Sequence, residues 1–118
     1  MIVRNKDKQK KRKSAAKHIV INEEELIRQV SLRPVIYDRS LKAYRKTSLR
    51  HQCWKEISET MDATVVKCRQ RWRSLRDTFV KRYKQIQGTS DESAISKLQK
   101  WYFYDKMSFL IPHLDGVR

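Results

Sequence analysis

The chain has 118 residues, of which 28 are Lys or Arg and 13 are Asp or Glu, so its formal net charge is +15. This length predicts one domain rather than two. No apolar run has the roughly 20 residues of a membrane-spanning helix, and no apolar segment follows the N-terminal charges as in a secretion signal. We therefore expect a soluble, intracellular and cationic protein. Residues before Asn22 include eight basic and one acidic residue, which leaves 20 basic against 12 acidic residues, or +8, for the remainder. The predicted domain is thus basic in its own right, and such a charge attracts polyanions.

Residues 1–20 are predicted to form a disordered basic arm, because their like charges repel and no helical or strand period is present. A dense basic run in this arm favours nuclear import or contact with a DNA backbone, and the alternative is a tail that only increases solubility. The residues predicted to serve nuclear import are Lys10, Lys11, Arg12 and Lys13.

A first helix is predicted from Asn22 onward. Asn22 is a favourable N-cap, and Glu25 stands at the position that completes a capping box. Ile21 precedes the cap and can pack on Leu26 as a hydrophobic staple. We expect the helix to end at Pro34, because the residue before a proline resists helical angles.

Two further helices are predicted on either side of a three-residue break. Ser48 is the predicted cap of a second helix over 49–61, whose apolar residues recur at helical steps. After the break at Asp62–Thr64, Thr64 is the predicted cap of a third helix over 65–87, and Gly88 suits its C-terminal end. A short helix, a short break and a longer helix are typical of a helix-turn-helix.

The C-terminal part is predicted to be a polar linker over 88–96, followed by a fourth helix from Ser96 to Leu110 that stops before Pro112. This fourth helix is apolar around most of its circumference, which predicts packing against several other helices. No strand-like alternation persists along the chain, so the predicted fold is all-α: a three-helix unit closed by an additional C-terminal helix.

The third predicted helix carries two overlapping patterns. One is an apolar stripe at helical spacing, predicted to face the core: Val65, Cys68, Trp72, Leu75, Phe79 and Ile86. The other is a polar surface with eight basic residues against one acidic residue, Asp77, between positions 65 and 86. A helix with an apolar inner face and a basic outer surface is suited to bind an anion. The favoured anion is a nucleic-acid backbone. Tyr83 lies at the edge of the stripe and could face either the core or DNA.

The remaining residue types give no support to a catalytic or metal site. Cys53 and Cys68 are interpreted as reduced, buried residues; a disulfide, or a metal site with His51 and His113, lacks the usual ligand spacing. The chain has three scattered His and two Gly residues and no paired acidic cluster, so we expect neither an enzyme nor a bound cofactor.

The aromatic spacing resembles that of Myb and SANT repeats, since Trp54 and Trp72 are 18 residues apart and Tyr37 lies 17 before Trp54. The order of four segments resembles the MADF domain more closely. These segments lie at Leu26–Asp38, Cys53–Ile57, Cys68–Asp77 and Trp101–Pro112. The resemblance covers about residues 24–114 and implies a Myb/SANT-like helical domain over 21–114, followed by a short tail at 115–118. It also implies a nuclear transcription regulator whose third helix enters the major groove of double-stranded DNA. Some MADF domains resemble protein-interaction modules, so the alternative is a SANT-like module that binds acidic chromatin or transcription proteins.

Candidate DNA contacts follow from the position of each polar residue on the third helix. The N-terminal part of a recognition helix reaches base edges, so the predicted base-reading residues are Lys67, Gln70, Arg71 and Ser74. Arg71 can pair with guanine and Gln70 with adenine. The predicted phosphate contacts, which fix register without reading sequence, are Arg45, Lys46, Arg50, Arg73, Arg76, Lys81 and Lys84. For each residue alone, the alternative is a solvated surface charge.

Overall fold

The computed structural model describes residues 21–114, and this part of the chain is all-helical, as predicted. Its α-helices are α1 (Glu23–Ser31), α2 (Thr47–Met61), α3 (Val65–Gln87) and α4 (Glu92–Gln99). Short 3-10 helices lie at Pro34–Ile36, Lys42–Arg45 and Asp105–His113. The predicted basic arm with its nuclear-import residues, and the predicted tail at 115–118, lie outside the described residues.

The start of α1 confirms the predicted cap, because the Asn22 Oδ1 accepts a hydrogen bond from the Glu25 amide at 3.0 Å. The Glu25 carboxylate accepts from the Gln29 amide group at 2.7 Å, and this bond is the main reason why the pKa of Glu25 is lowered. The predicted end was wrong: α1 stops at Ser31, and Pro34 instead begins the next 3-10 helix, where its missing N–H costs nothing.

The turn between α2 and α3 fixes the start of the basic helix. Asp62 adopts a left-handed conformation, with φ 55° and ψ 45°, which allows the Ala63 amide to donate to the Ser58 carbonyl at 3.1 Å. Such a residue at the end of a helix satisfies carbonyls that would otherwise lack partners. Thr64 then caps α3 as predicted, its Oγ1 accepting from the Lys67 amide at 3.1 Å.

The predicted cap of α2, Ser48, was wrong. The helix begins at Thr47, Lys46 occupies the cap position, and no side chain caps it. The reason is the preceding 3-10 helix, because the Lys46 amide still donates to the Ala43 carbonyl at 3.0 Å. The extended residue before α2 is therefore Lys46, with φ −90° and ψ 101°, and its side chain has no acceptor for the first amides of the helix.

Substitutions at Thr64 and Ser48 test which of the two side chains caps a helix. Thr64→Ala should reduce the free energy of unfolding by about 1 kcal/mol, which corresponds to a fall in Tm of about 4–8 °C for a domain of this size. Ser48→Ala is the control and should change stability by less than about 0.5 kcal/mol. Thermal unfolding followed by circular dichroism measures both, and equal losses would contradict the assignment of Thr64 as the cap.

The core lies where α1, α2 and α3 meet, and it contains the predicted stripes. Its largest members on these helices are Leu26, Trp54, Ile57, Trp72 and Phe79, all buried. Tyr83, whose direction the sequence left open, is half-buried and stacks on Phe79 with ring centroids 6.4 Å apart. It therefore belongs to the core side of α3.

The C-terminal segment closes the core, but the predicted single helix from Ser96 to Leu110 was wrong. Most of the predicted linker belongs to α4, which Asp91 caps by accepting from the Ser93 amide at 3.0 Å. The chain then turns and continues as the 3-10 helix Asp105–His113, with Pro112 inside it. The buried residues Tyr104, Met107 and Leu110 recur at steps of three, which is the period of a 3-10 helix and not of an α-helix.

Candidate nucleic-acid interface

The surface of α3 has two flanks and a ridge, set by the helical rotation of 100° per residue. Cys68, Leu75 and Phe79 mark the buried face. The residues nearest to the opposite direction form what we call the outer ridge: Val66, Gln70, Arg73, Asp77, Lys81 and Lys84. All six are exposed. This ridge is the surface of α3 that faces away from the core.

A concave surface of about 650 Å³ lies between α3 and the segment that joins α1 to α2. We call it the arginine cleft, because five arginines line it against a single carboxylate, that of Asp77. Its α3 wall includes Val66, Arg69, Gln70, Arg73 and Arg76, and its opposite wall includes Arg39, Tyr44 and Arg50. The side chains of Tyr37, Trp54, Trp72 and Leu110 contribute apolar surface to its lining.

Arg50 is held in place on the wall opposite α3. Its guanidinium donates to the Tyr44 carbonyl and lies over the Tyr44 ring, 4.8 Å from the ring centroid. Two contacts to one residue restrict the rotamers of a long side chain, and an arginine restricted in this way loses less entropy when it binds an anion. Arg45 and Lys46 are exposed just before α2 but do not line the cleft.

The carboxylate of Asp38 lies near the cleft but does not neutralise its arginines. Its Oδ1 accepts from the Ser40 hydroxyl at 2.6 Å and from the Ser40 amide at 3.0 Å, and His113 Nδ1 lies 3.6 Å away. The hydroxyl bond first, and then the amide bond, lower the pKa of Asp38, so it stays ionised at neutral pH. Its charge is thus satisfied locally and does not pair with an arginine of the cleft.

Arg71 lies on the other flank of α3 and forms an ion pair with Glu23 in the first turn of α1. Arg71 and Gln70 were both predicted to read bases, but adjacent residues of a helix differ in direction by 100°. The structure places Gln70 in the arginine cleft and Arg71 beside α1. The two residues predicted to read guanine and adenine are therefore not brought together.

The other predicted contacts divide between free surface and the cleft. Lys67, Ser74, Lys81 and Lys84 are exposed on α3 and do not line the cleft, whereas Arg50, Arg73 and Arg76 do. Arg76 also lies 3.6 Å from Asp77. A further cation of α3, Arg82, has a structural role: it donates to the Leu98 carbonyl at 2.9 Å and lies over the Trp101 ring, which ties α3 to the end of α4.

Arg39, Arg69 and Val66 line the cleft but were not among the predicted contacts. A signal for Arg69 was present in the sequence, since it shares a flank with Arg73 and Arg76 at steps of four and three. No local signal places Arg39 opposite α3, because that depends on how the segment after α1 packs. Val66 carries no charge, so the basic pattern of α3 contains no signal for it.

Both cysteines are free thiols, but the interpretation that both are buried was wrong for Cys53, which is only partly buried. Cys68 is fully buried, and burial raises its pKa, which disfavours the reactive thiolate. Between residues 21 and 114, His, Cys, Asp and Glu side chains form no group of three that could hold a metal ion. None of the helices in that range is long and apolar enough to cross a bilayer.

Comparison with known proteins gives the same family that the residues suggested. Residues 26–110 match the family model described as "Alcohol dehydrogenase transcription factor Myb/SANT-like", the MADF DNA-binding family. The chain is also similar to transcription factor Adf-1 of Drosophila melanogaster, with 38% identity over 93 residues. That match covers 79% of this chain and 30% of Adf-1, so the chain spans about a third of its relative's length. No solved structure matches the present chain significantly. The matched range runs from α1 into the C-terminal 3-10 helix, and the chain belongs to the MADF family, which is a family of transcription factors and not of enzymes.

Proposed function

We propose that this chain binds double-stranded DNA sequence-specifically, as the DNA-binding part of a nuclear transcription regulator, with α3 in the major groove. The family and the relative named as a transcription factor support the general role. The observation that carries the proposal is the arginine cleft, which presents five arginines against one carboxylate beside the helix expected to read DNA.

The cleft suits one strand of the DNA backbone. In helix-turn-helix proteins of the homeodomain type, the segment between the first two helices and the end of the third helix contact phosphates. Here the corresponding segment supplies Arg39, Arg45 and Lys46, the first turn of α2 supplies Arg50, and α3 supplies cations along its whole length. The proposed phosphate contacts on α3 are Arg69, Arg73, Arg76, Lys81 and Lys84.

Base reading is proposed for Lys67, Gln70, Arg71 and Ser74. Arg71 can take part although it is paired with Glu23, because a guanidinium has five donors and can hold a carboxylate with one edge and a guanine with the other. In that arrangement Glu23 fixes the direction of Arg71. If the pair instead kept the guanidinium against α1, Arg71→Ala would leave the preference among duplexes unchanged.

Random-oligonucleotide selection with the full chain tests the proposal, followed by binding measurements on the selected duplex and on scrambled duplexes. Arg71→Ala should reduce the preference for the selected duplex by about 5–150-fold, the value of a good bidentate base contact. Lys84→Ala is the matched control, because a phosphate contact should weaken binding to all duplexes by about the same factor. Equal effects of the two substitutions on preference would contradict the assigned roles.

The alternative function gives a different result in the same experiment. A SANT-like module that binds acidic chromatin or transcription proteins would enrich no DNA word and show no measurable affinity for any duplex. Salt-sensitive binding to an acidic protein in the absence of duplex binding would therefore overturn the proposal.

A further inference from the structure

Val66 is an apolar residue on the outer ridge of α3. The other residues of this ridge are polar or charged. Its side chain is 61% exposed, although its neighbour Val65 packs against the core. It precedes Cys68 by two residues and therefore points about 160° away from the centre of the buried face. This direction puts Val66 on the outer ridge, in the lining of the arginine cleft together with Gln70 and Arg73.

The fold gives no reason for a valine at this position. Single exposed apolar residues are ordinary on protein surfaces, but a β-branched residue on an exposed helix position is less favourable than most polar residues. Val66 is also the one large apolar side chain of α3 that is prominently exposed. Its position therefore suggests a binding role in the first turn of the helix, where helix-turn-helix proteins reach base edges.

We propose that Val66 contacts the C5-methyl group of a thymine in the major groove and so determines specificity at that base pair. This inference rests on the proposed function. The thymine methyl is the apolar group that base pairs present in the major groove, whose other readable groups are hydrogen-bond donors and acceptors. Valine can form hydrogen bonds with none of those polar groups. Beside thymine it gains apolar contact, whereas beside any other base edge it displaces water without replacing the hydrogen bonds that the water made.

The geometry of the outer ridge also gives the register of this contact. Val66 and Gln70 are four residues apart, so they are separated by about 6 Å along the helix axis. Successive base pairs are about 3.4 Å apart. With α3 aligned along the base-pair stack in the proposed complex, the thymine lies about two base pairs from the base that Gln70 contacts, which we propose to be an adenine.

Replacement of thymine by deoxyuridine provides the test, because it removes the methyl group and leaves every hydrogen-bonding group unchanged. Each thymine of the duplex selected with the full chain is replaced in turn, and Kd is measured for the unmodified protein and for Val66→Ser. One replacement should weaken binding of the unmodified protein by about fourfold, the factor that corresponds to burial of one methyl group. The same replacement should leave the Kd of Val66→Ser unchanged, because that variant has no methyl group to make the contact.

Leu32→Ser is the matched control, since Leu32 is 59% exposed at the end of α1 and outside the lining of the cleft. It should show the same fourfold response to deoxyuridine as the unmodified protein. The inference about Val66 is overturned, while sequence-specific binding stands, if no thymine distinguishes the unmodified protein from Val66→Ser or if the selected word contains no thymine. A selection that enriches no word overturns both the proposed function and this inference.

Discussion

Replacing Arg69, Arg73 and Arg76 together with alanine is expected to reduce duplex affinity at physiological salt by on the order of a hundredfold. These three side chains form the α3 wall of the arginine cleft along with Val66 and Gln70. Each phosphate that a cation neutralises releases counterions and contributes about −0.9 to the log–log dependence of affinity on salt. Loss of three contacts should therefore make that slope shallower by about 2.7, which a titration at several salt concentrations measures directly.

The control for this variant removes the same number of charges from another surface. Lys55, Lys97 and Lys100 are exposed on α2, in α4 and just after it, and none lines the cleft. Their replacement by alanine gives the same net charge as the arginine variant, so a general effect of charge would weaken binding equally in both proteins. We expect the slope of the lysine variant to stay close to that of the unmodified chain. Equal changes in the two slopes would show that the cleft has no special part in DNA binding.

Phe79→Ala is expected to lower the free energy of unfolding by about 3–5 kcal/mol, the range for deleting a buried aromatic ring. Phe79 is fully buried, its ring lies 4.9 Å from that of Tyr104 by centroid distance, and it also stacks on Tyr83. The substitution leaves a cavity between α3 and the segment that closes the core. Small domains have a total stability of about 5–15 kcal/mol. A loss of this size therefore lowers the folded fraction well below the Tm of the unmodified protein.

Urea denaturation followed by tryptophan fluorescence measures this loss, and two further variants keep the result interpretable. Phe79→Leu retains part of the side-chain volume, so its stability should lie between those of the unmodified protein and Phe79→Ala. Gln85→Ala changes an exposed residue of the same helix and should alter stability by less than about 0.5 kcal/mol. If Phe79→Ala were no more destabilising than Gln85→Ala, the buried stripe would not be the main support of α3.

The parts of the fold that could be predicted depend on interactions within a few residues. The bounds of α3 follow from its apolar period, from the Thr64 side chain that accepts from the Lys67 amide, and from Gly88 at its end. The Asn22 cap is local in the same way. Because these signals require no tertiary contact, the sequence was sufficient for them.

The C-terminal segment could not be predicted in the same way, because its backbone depends on what it packs against. Aromatic and aliphatic residues around Trp101 satisfy an α-helical pattern loosely on every side, which hides the repeat of three in Tyr104, Met107 and Leu110. Ser48 failed as a cap for a related reason, since the 3-10 helix before Lys46 had no clear sequence signal.

The candidate site was predictable in composition and less so in arrangement. The excess of Arg and Lys on α3 is visible in the sequence, but the arginine cleft also needs Arg39 and Arg50. Only the packing of the segment after α1 and of the first turn of α2 brings these two residues opposite α3. Likewise the partner of Arg71 is Glu23, 48 residues earlier in the chain. Contacts of that separation leave no periodic trace, so their consequences for Arg71 could be found only from the structure.

The carboxylate of Asp77 has a further consequence for the way in which this helix can meet a duplex. With 23 residues, α3 is about 35 Å long, whereas the major groove is about 12 Å wide and curves around the DNA axis. In the proposed complex a straight helix of this length would leave the groove, and the Asp77 carboxylate near its midpoint, although 3.6 Å from Arg76, would oppose the closest approach of phosphates there. We therefore expect the amino-terminal turns of α3 to insert most deeply in the proposed complex, and the C-terminal part with Lys81 and Lys84 to cross the DNA backbone.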